Sequence, residues 1–252
     1  MRLLLPCISS TTMRETVLNA DRSRTSVRLL CGKWLSPTEA ASLVSDRLCA
    51  PLATHWAKKY SVSFSTPYYF LKMLLLIEDK RFAVHCGIDP IAICRAIIFN
   101  WQGRSIQGAS TLTQQVYTVQ MRANDGYVRR NLVYKLRQIV WACCWSLRRS
   151  KPSVFKQYLE SVYWGRSYHG IDGAARGYFG TTRNGLSAAQ SFFLAERIAS
   201  PNRVSLQRIV NLLNRDAIQC ELQSNGTSTA EIIAVYDGVF GCGGEMWQLL
   251  AK

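Results

Sequence analysis

The chain is built from short apolar runs and from apolar residues spaced every three or four positions, with little strict alternation. Tyr68–Ile77 (YYFLKMLLLI) is almost wholly apolar, and Pro90–Phe99 (PIAICRAIIF) repeats that character behind a proline suited to a first helical turn. A membrane span takes about 20 apolar residues, so both runs read as buried elements. Between Val128 and Leu147, apolar residues at 128, 132, 136, 139, 140 and 143 predict a helix with one core face. Pro152–Trp164, Ser187–Ala199 and Thr229–Phe240 predict further helices. Ser36–Cys49 predicts another, with Ser36 as cap, Pro37 at the first helical position and Glu39 in the first turn. Gly165, Gly170, Gly173, Gly177 and Gly180 punctuate the stretch between the helices at 152–164 and 187–199. Strands are expected to be few and the fold mainly α. Residues 1–50 read as a poorly defined N-terminal extension, 51–205 as the principal domain, and 206–252 as a helical C-terminal tail.

Composition narrows the classes. Apolar residues make up 48% and charged residues 19% of 252, enough for a core and unlike a disordered chain. Lys and Arg number 31 against 16 Asp and Glu, a formal charge of +15. That excess predicts an acidic partner: nucleic acid, an anionic membrane surface or a phosphorylated substrate. The nine cysteines (7, 31, 49, 86, 94, 143, 144, 220, 242) form no C-x-x-C pair and no repeated spacing. Zinc sites, dithiol motifs and a dense disulfide framework are therefore not expected, and the cysteines read as small buried hydrophobes of a reducing compartment. Met1–Ile8 is a poor secretion signal and no long apolar run follows it, so neither leader nor transmembrane helix is expected. No Gly-rich phosphate loop, Ser-His-Asp signature or nucleic-acid motif is present.

Three places suit chemistry. Glu78 closes the apolar run 68–77 and opens EDKRFAVHCGID. A carboxylate beside apolar packing has a raised pKa and serves as a general base or acid near neutrality. The same position also fits a solvated turn in which Glu78 pairs with Lys80 or Arg81. QGASTLTQQ (107–115) is dense in hydroxyls and amides that suit sugar or phosphate oxygens, and Gly108 lets backbone approach a ligand. It also fits a helix cap, with Ser110 or Thr111 capping and Gln114 in the first turn. Residues 122–156 carry nine basic residues and one acid, Asp125, either as a solvated face or as a site for pyrophosphate or anionic lipid head groups. His85 and His169 are too isolated to predict a metal site, and His85 reads as a structural hydrogen-bonding histidine.

Taken together these segments resemble a known family. EDKRFAVHCGIDPIAICRA (78–96) resembles the first signature of the family-51 peptidoglycan glycosyltransferases, at Glu78, Asp79, Phe82, His85, Gly87, Asp89 and Arg95. GASTLTQQ (108–115) is similar to the second, with Ala109 for a Gly and Leu112 for an Ile. YLESVYWGRSYHGIDGAARGYFG (158–180) is similar to a late family segment, and Ser187–Pro201 follows in the family's style. The resemblance covers residues 60–205. It implies a lysozyme-like helical glycosyltransferase domain at 51–205 that polymerises lipid II, passing the growing glycan from its lipid pyrophosphate to the 4-hydroxyl of the next disaccharide with inversion. It carries over Glu78 as base, with Asp79, Phe82, His85, Ser110, Thr111, Gln114 and Gln115 as substrate-binding positions. Arg130 and Lys135 fall on cationic positions near the donor phosphates. The implied partners are lipid II and nascent glycan, an anionic membrane surface and other cell-wall synthesis or division proteins, with no nucleic acid. The implied place is the outer face of the bacterial cytoplasmic membrane, peripherally bound.

The third signature departs from the pattern. The family writes Arg-Lys-x-x-Glu where this chain has YKLRQ (134–138), so Tyr134 replaces the Arg and Gln138 replaces a second catalytic Glu. Thr118 stands for a phosphate-binding Lys, and Ser153 and Glu160 stand where Glu and Asn are common. Each lost charge-assisted contact is worth about 1.5–3 kcal/mol. The expectation is an enzyme of reduced activity; the alternative is an inactive member that binds lipid II or glycan and acts through protein partners. The residues themselves specify no cofactor and no metal ligands. The resemblance admits a divalent cation, Mg or Mn, although the missing carboxylate at Gln138 weakens that inference.

Overall fold

The structure is a computed structural model that describes residues 27–28, 34–35, 46–101, 108–125 and 131–250. The chain divides into two units, Met1–Pro51 and Leu52–Lys252. The first contains a short antiparallel ladder, β1 (Val27–Arg28) and β2 (Trp34–Leu35), with Val27 opposite Leu35. The regular elements described from residue 46 onward are helical: α1 (Asp46–Ser61), α2 (Tyr68–Glu78), α3 (Pro90–Trp101), α4 (Leu112–Asp125), α5 (Leu132–Arg148), α6 (Lys151–Ser161), α7 (Gly170–Phe179), α8 (Ala188–Arg197), α9 (Leu206–Leu213), α10 (Asp216–Ser224), α11 (Thr229–Phe240) and α12 (Gly243–Leu250), with a 3-10 turn at Arg183–Gly185. The fold is mainly α, as the pattern predicts.

The almost wholly apolar run becomes α2, whose Phe70, Leu71, Met73, Leu74 and Leu75 are inaccessible or nearly so. A helix apolar on every side must be covered on every side. Accordingly α8 packs along α2, and α10 packs against it as well. Eleven residues make about 16 Å, half the thickness of a bilayer core. Among the described residues no helix is long and apolar enough to cross a membrane. Ser187 and Ser228 start α8 and α11 with capping boxes to Gln190 and Glu231. Tyr236 of α11 packs on Phe193 of α8 with ring centres 4.8 Å apart. Lys72 of α2 forms an ion pair with Glu221 of α10, which is 1% exposed. The helices beyond residue 205 therefore share the core of the second unit.

The structure redraws several elements. Residues 36–45 of the expected helix at Ser36–Cys49 lie outside those described, and its remaining residues, 46–49, open α1, which runs on to Ser61. The stripe that carries α1 onward is Ala53, Trp56 and Ala57, buried at helical spacing. The glycine-punctuated stretch contains α7, with Gly170 at its start and Gly180 as its left-handed cap, so two of those glycines mark ends and not interruptions. No disulfide joins the described cysteines, yet among them only Cys49 is buried, while Cys94, Cys144 and Cys220 are exposed.

The largest correction concerns α5. Asn131 caps it by accepting from the Tyr134 N–H at 2.8 Å, and residues 128–130 lie outside those described. Its apolar stripe does not face the core: Leu132 is 75% exposed and Val140 63%, with Leu136 and Leu147 also exposed. The buried residues of this helix are Gln138 and Ala142. Spacing specifies that a stripe exists but not what covers it.

Candidate active site

Glu78 is the last residue of α2, so a rigid buried helix delivers its carboxylate to a fixed point. Its side chain is 9% exposed. Oε2 accepts from Gln115 Nε2 at 2.8 Å, and Gln115 Oε1 accepts from the Tyr158 hydroxyl at 2.9 Å. With a donor at one end of the amide and an acceptor at the other, Gln115 has one sensible orientation. Oε1 faces Arg208 Nη2 of α9 at 3.6 Å. Burial raises the Glu78 pKa above the usual carboxylate range, opposed by the Gln115 hydrogen bond and by the Arg208 charge. Burial and the neighbouring Glu78 push the Tyr158 hydroxyl well above the ordinary phenol range, so it stays a neutral donor. Pairing of Glu78 with Lys80 or Arg81 on a solvated turn is thus replaced: Arg81 is buried and its Nε donates to Asp89 Oδ2 at 2.7 Å.

Arg208 has a second carboxylate. Its Nε lies 3.3 Å from Oε1 of Glu196, which is wholly buried and accepts from the Tyr236 hydroxyl at 2.9 Å. Burial raises the Glu196 pKa too. Tyr158, Glu196, Arg208 and Tyr236 were not among the residues nominated by sequence. Arg208 sits in a short amphipathic helix whose spacing marks Ile209, Val210, Leu212 and Leu213 as core and leaves nothing to single out the arginine.

Below Glu78, the turn 79–89 is fastened to α4 and α5. Asp79 Oδ2 accepts from the Leu112 N–H at 2.9 Å, at the first residue of α4, and Asp79 Oδ1 lies 2.9 Å from His85 Nε2. Thr111 donates to the Gly87 carbonyl at 2.5 Å and exchanges a capping pair with Gln114. Phe82 is wholly buried and meets Trp56 edge-on at 5.5 Å. Asp79, Phe82, His85 and Thr111 are all buried. Gly87 has φ +85° and lies so close to α5 that a Cβ there would stand 2.2 Å from the Ala142 carbonyl oxygen.

The second cluster lies across α4. Lys135 Nζ donates to Ser110 Oγ at 3.0 Å and to Gln138 Oε1 at 2.8 Å. Gln138 Nε2 donates to the Gln114 carbonyl and to Thr118 Oγ1, each at 2.8 Å. The Tyr134 hydroxyl donates to Thr118 Oγ1 at 2.9 Å. Gln114 and Gln115, neighbours on one helix, thus tie the cation cluster to the Glu78 side. Arg130, the other cation nominated by sequence, lies outside the described residues.

A carboxylate with a raised pKa, an amide that orients it and an ammonium presented through the same helix are the parts of a transfer that needs a base and a counter-charge. Residues 48–221 match the family model described as Transglycosylase. The chain belongs to the transglycosylase family. It is 35% identical over 144 residues to the "Biosynthetic peptidoglycan transglycosylase" of Pseudomonas syringae pv. syringae (strain B728a), covering 56% of this chain and 58% of that one. The protein of the same description from Pseudomonas putida (strain W619) is 31% identical over 194 residues, covering 72% and 77%. "Penicillin-binding protein 1B" of Vibrio cholerae serotype O1 (strain ATCC 39315 / El Tor Inaba N16961) is 36% identical over 141 residues, 54% of this chain and 18% of that one. The chain spans somewhat over half the length of the first relative and less than a fifth of the last. The helical fold is the lysozyme-like one of the transglycosylases.

The donor set at position 138 does not suit the divalent cation that the family resemblance admits. Position 138 offers a neutral amide oxygen, and that oxygen already receives the Lys135 ammonium. Among the described residues, no group of three or more His, Cys, Asp or Glu converges as metal ligands do.

Proposed function

We propose that the protein is a peptidoglycan glycosyltransferase that polymerises lipid II into glycan strands with release of undecaprenyl pyrophosphate. In this reaction the acceptor 4-hydroxyl forms a bond to the anomeric carbon of the donor while the bond from that carbon to the pyrophosphate breaks, inverting the centre. Glu78 takes the hydroxyl proton, and its raised pKa brings it nearer to neutrality, where a general base works best. Gln115 and Tyr158 hold the carboxylate in place, and Lys135 meets the negative charge on the departing pyrophosphate. The observation that carries this reading is the Glu78–Gln115–Tyr158 chain of hydrogen bonds in a member of the transglycosylase family.

The test is polymerisation of labelled lipid II in detergent by purified wild type and Glu78→Gln. Wild type should make glycan, and the variant should lose about 10²–10⁴-fold in rate. Equal rates for the two proteins, or no glycan from wild type, would remove the proposal.

The same reading places the protein peripherally on the outer face of the cytoplasmic membrane. Its support is the exposed stripe of α5 and the groove of about 560 Å³ lined by Tyr117, Leu136, Val140, Trp141 and Cys144. Trp141 and Trp145 stack at 4.6 Å, and the Arg149 guanidinium lies over Trp145. An apolar face with indoles and flanking arginines suits the boundary of an anionic bilayer.

A further inference from the structure

Lys151 opens α6 behind its cap Ser150, and its side chain runs inward. Its Nζ is buried without a hydrogen-bond partner and lies 4.3 Å from the centre of the Phe82 ring. We infer that Lys151 is a positioning residue for the transfer: its buried ammonium holds the turn 79–89 in the shape that aligns Glu78 with Gln115. The inference rests on the glycosyltransferase reading only for the reaction that this alignment serves.

The turn carries two buried carboxylates. Asp79 accepts from the Leu112 N–H and faces His85, while Asp89 accepts from Arg81 Nε and from the Ala92 N–H at 3.0 Å. Arg81 supplies one positive charge to this pair of acids, and Lys151 supplies a second. Asp79 is the point of leverage. It follows Glu78 directly in the chain, and through Leu112 it sets the start of α4, the helix that brings Gln115 to Glu78. Phe82 packs against the ammonium and against the rings of Trp56 and Phe155, which fixes the middle of the same turn.

Stability does not account for this lysine. Burial pushes its pKa down from the ordinary 10.5 to about 8. The titratable groups that face it among the described residues, Asp79, Cys86 and Asp89, lie on the turn and oppose that fall. The folded-state value is below that of the unfolded chain, so the ammonium lowers stability at neutral pH, and folding gains as pH rises from about 8 toward 10.5. A methionine would fill the same space without the charge. The chain thus keeps a destabilising charge beside the turn behind its general base, as functional sites do.

The test uses the full chain. The side-chain amide of Gln115, assigned in ¹⁵N spectra by its loss in Gln115→Ala, reports the bond to Glu78 without any substrate. In wild type this resonance should shift as pH rises through about 8. In Lys151→Met the shift should vanish, and in Lys151→Arg, which keeps the charge, the resonance should hold its neutral-pH position. With lipid II, kcat of Lys151→Met should fall about tenfold with KM within about twofold of wild type, and Lys151→Arg should regain part of the loss. At neutral pH Lys151→Met should melt no lower than wild type, whereas a merely structural lysine would lower it. Lys151→Met decides the matter if the larger arginine does not fold. A Gln115 resonance indifferent to pH in wild type, or the same pH shift in Lys151→Met, would overturn the inference. So would Lys151→Met polymerising as fast as wild type or melting below it. No glycan from wild type, with the Gln115 resonances as expected, would overturn the glycosyltransferase reading and leave Lys151 as the residue that positions Glu78.

Discussion

The Arg208 guanidinium lies 3.6 Å from the Glu78 carboxylate, although it arrives on a helix far along the chain and from outside the motifs around Glu78. Its other side meets Glu196 at 3.3 Å. One cation thus restrains two carboxyls that burial pushes toward the protonated form. Arg208→Gln should let the Glu78 pKa rise further, moving the acid limb of the pH–rate profile upward. Because Arg208 is 36% exposed, solvent screens its charge, and the rate at neutral pH should fall by about tenfold or less. Arg208→Lys should return part of the shift. A pH–rate profile that stays in place in Arg208→Gln would show that the arginine does not act on Glu78.

Glu78→Gln should separate activity from stability. Burial raises the folded-state pKa of Glu78 above that of the unfolded chain, so the stability associated with its neutral form is complete in acid. That stability is lost as pH rises through the raised value. A glutamine cannot ionise, so the variant should be more stable than wild type at neutral pH and equal to it below the ordinary carboxylate range. Denaturant titrations at the two pH values give the comparison, with loss of glycan synthesis as the companion readout.

Lys72→Met should be costly. It leaves Glu221, 1% exposed, as a buried carboxylate without its cation, a change worth about 3–5 kcal/mol by urea unfolding. Truncation after residue 205 should do worse, since it removes Arg208, Glu221 and Tyr236 together from their partners on α2 and α8. A truncated chain that melts cooperatively near the wild-type temperature would establish 51–205 as a domain in its own right.

The face of α5 gives a prediction with no folding cost. Leu136→Glu with Val140→Glu places charges at positions 55% and 63% exposed. Binding to vesicles rich in anionic lipid should drop about tenfold or more in a sedimentation assay, while the melting temperature holds. Unchanged vesicle binding would move the membrane contact elsewhere on the protein.

The sequence was most informative where one residue type has one use. The nearly all-apolar run 68–77 had to be buried, and it became α2; the carboxylate closing it had to sit at the edge of that core, and Glu78 does. Thr111 followed by Gln114 wrote a helix start, and the same segment also supplies Gln115 to Glu78, so the two readings of 107–115 coexist in one turn. Patterns with two physical meanings were less informative. The stripe on α5 has a core helix's period and faces outward, because water and lipid are not distinguished by spacing. Arg208 and Tyr158 were hidden because their roles arise from proximity between distant segments, which no local window contains.

The crowded hydroxyl of Thr118 also bears on how such a site changes over generations. With both N–H protons of the Gln138 amide and every bond of the Thr118 hydroxyl in use, exchanging any one of Thr118, Tyr134 and Gln138 for its charged family counterpart leaves a hydrogen bond of its neighbour unmade. Thr118→Lys, Tyr134→Arg and Gln138→Glu should each be harmful alone and far less so in combination. The charged and neutral forms of the site are then two separate solutions, and a path of single substitutions between them runs through weakened intermediates.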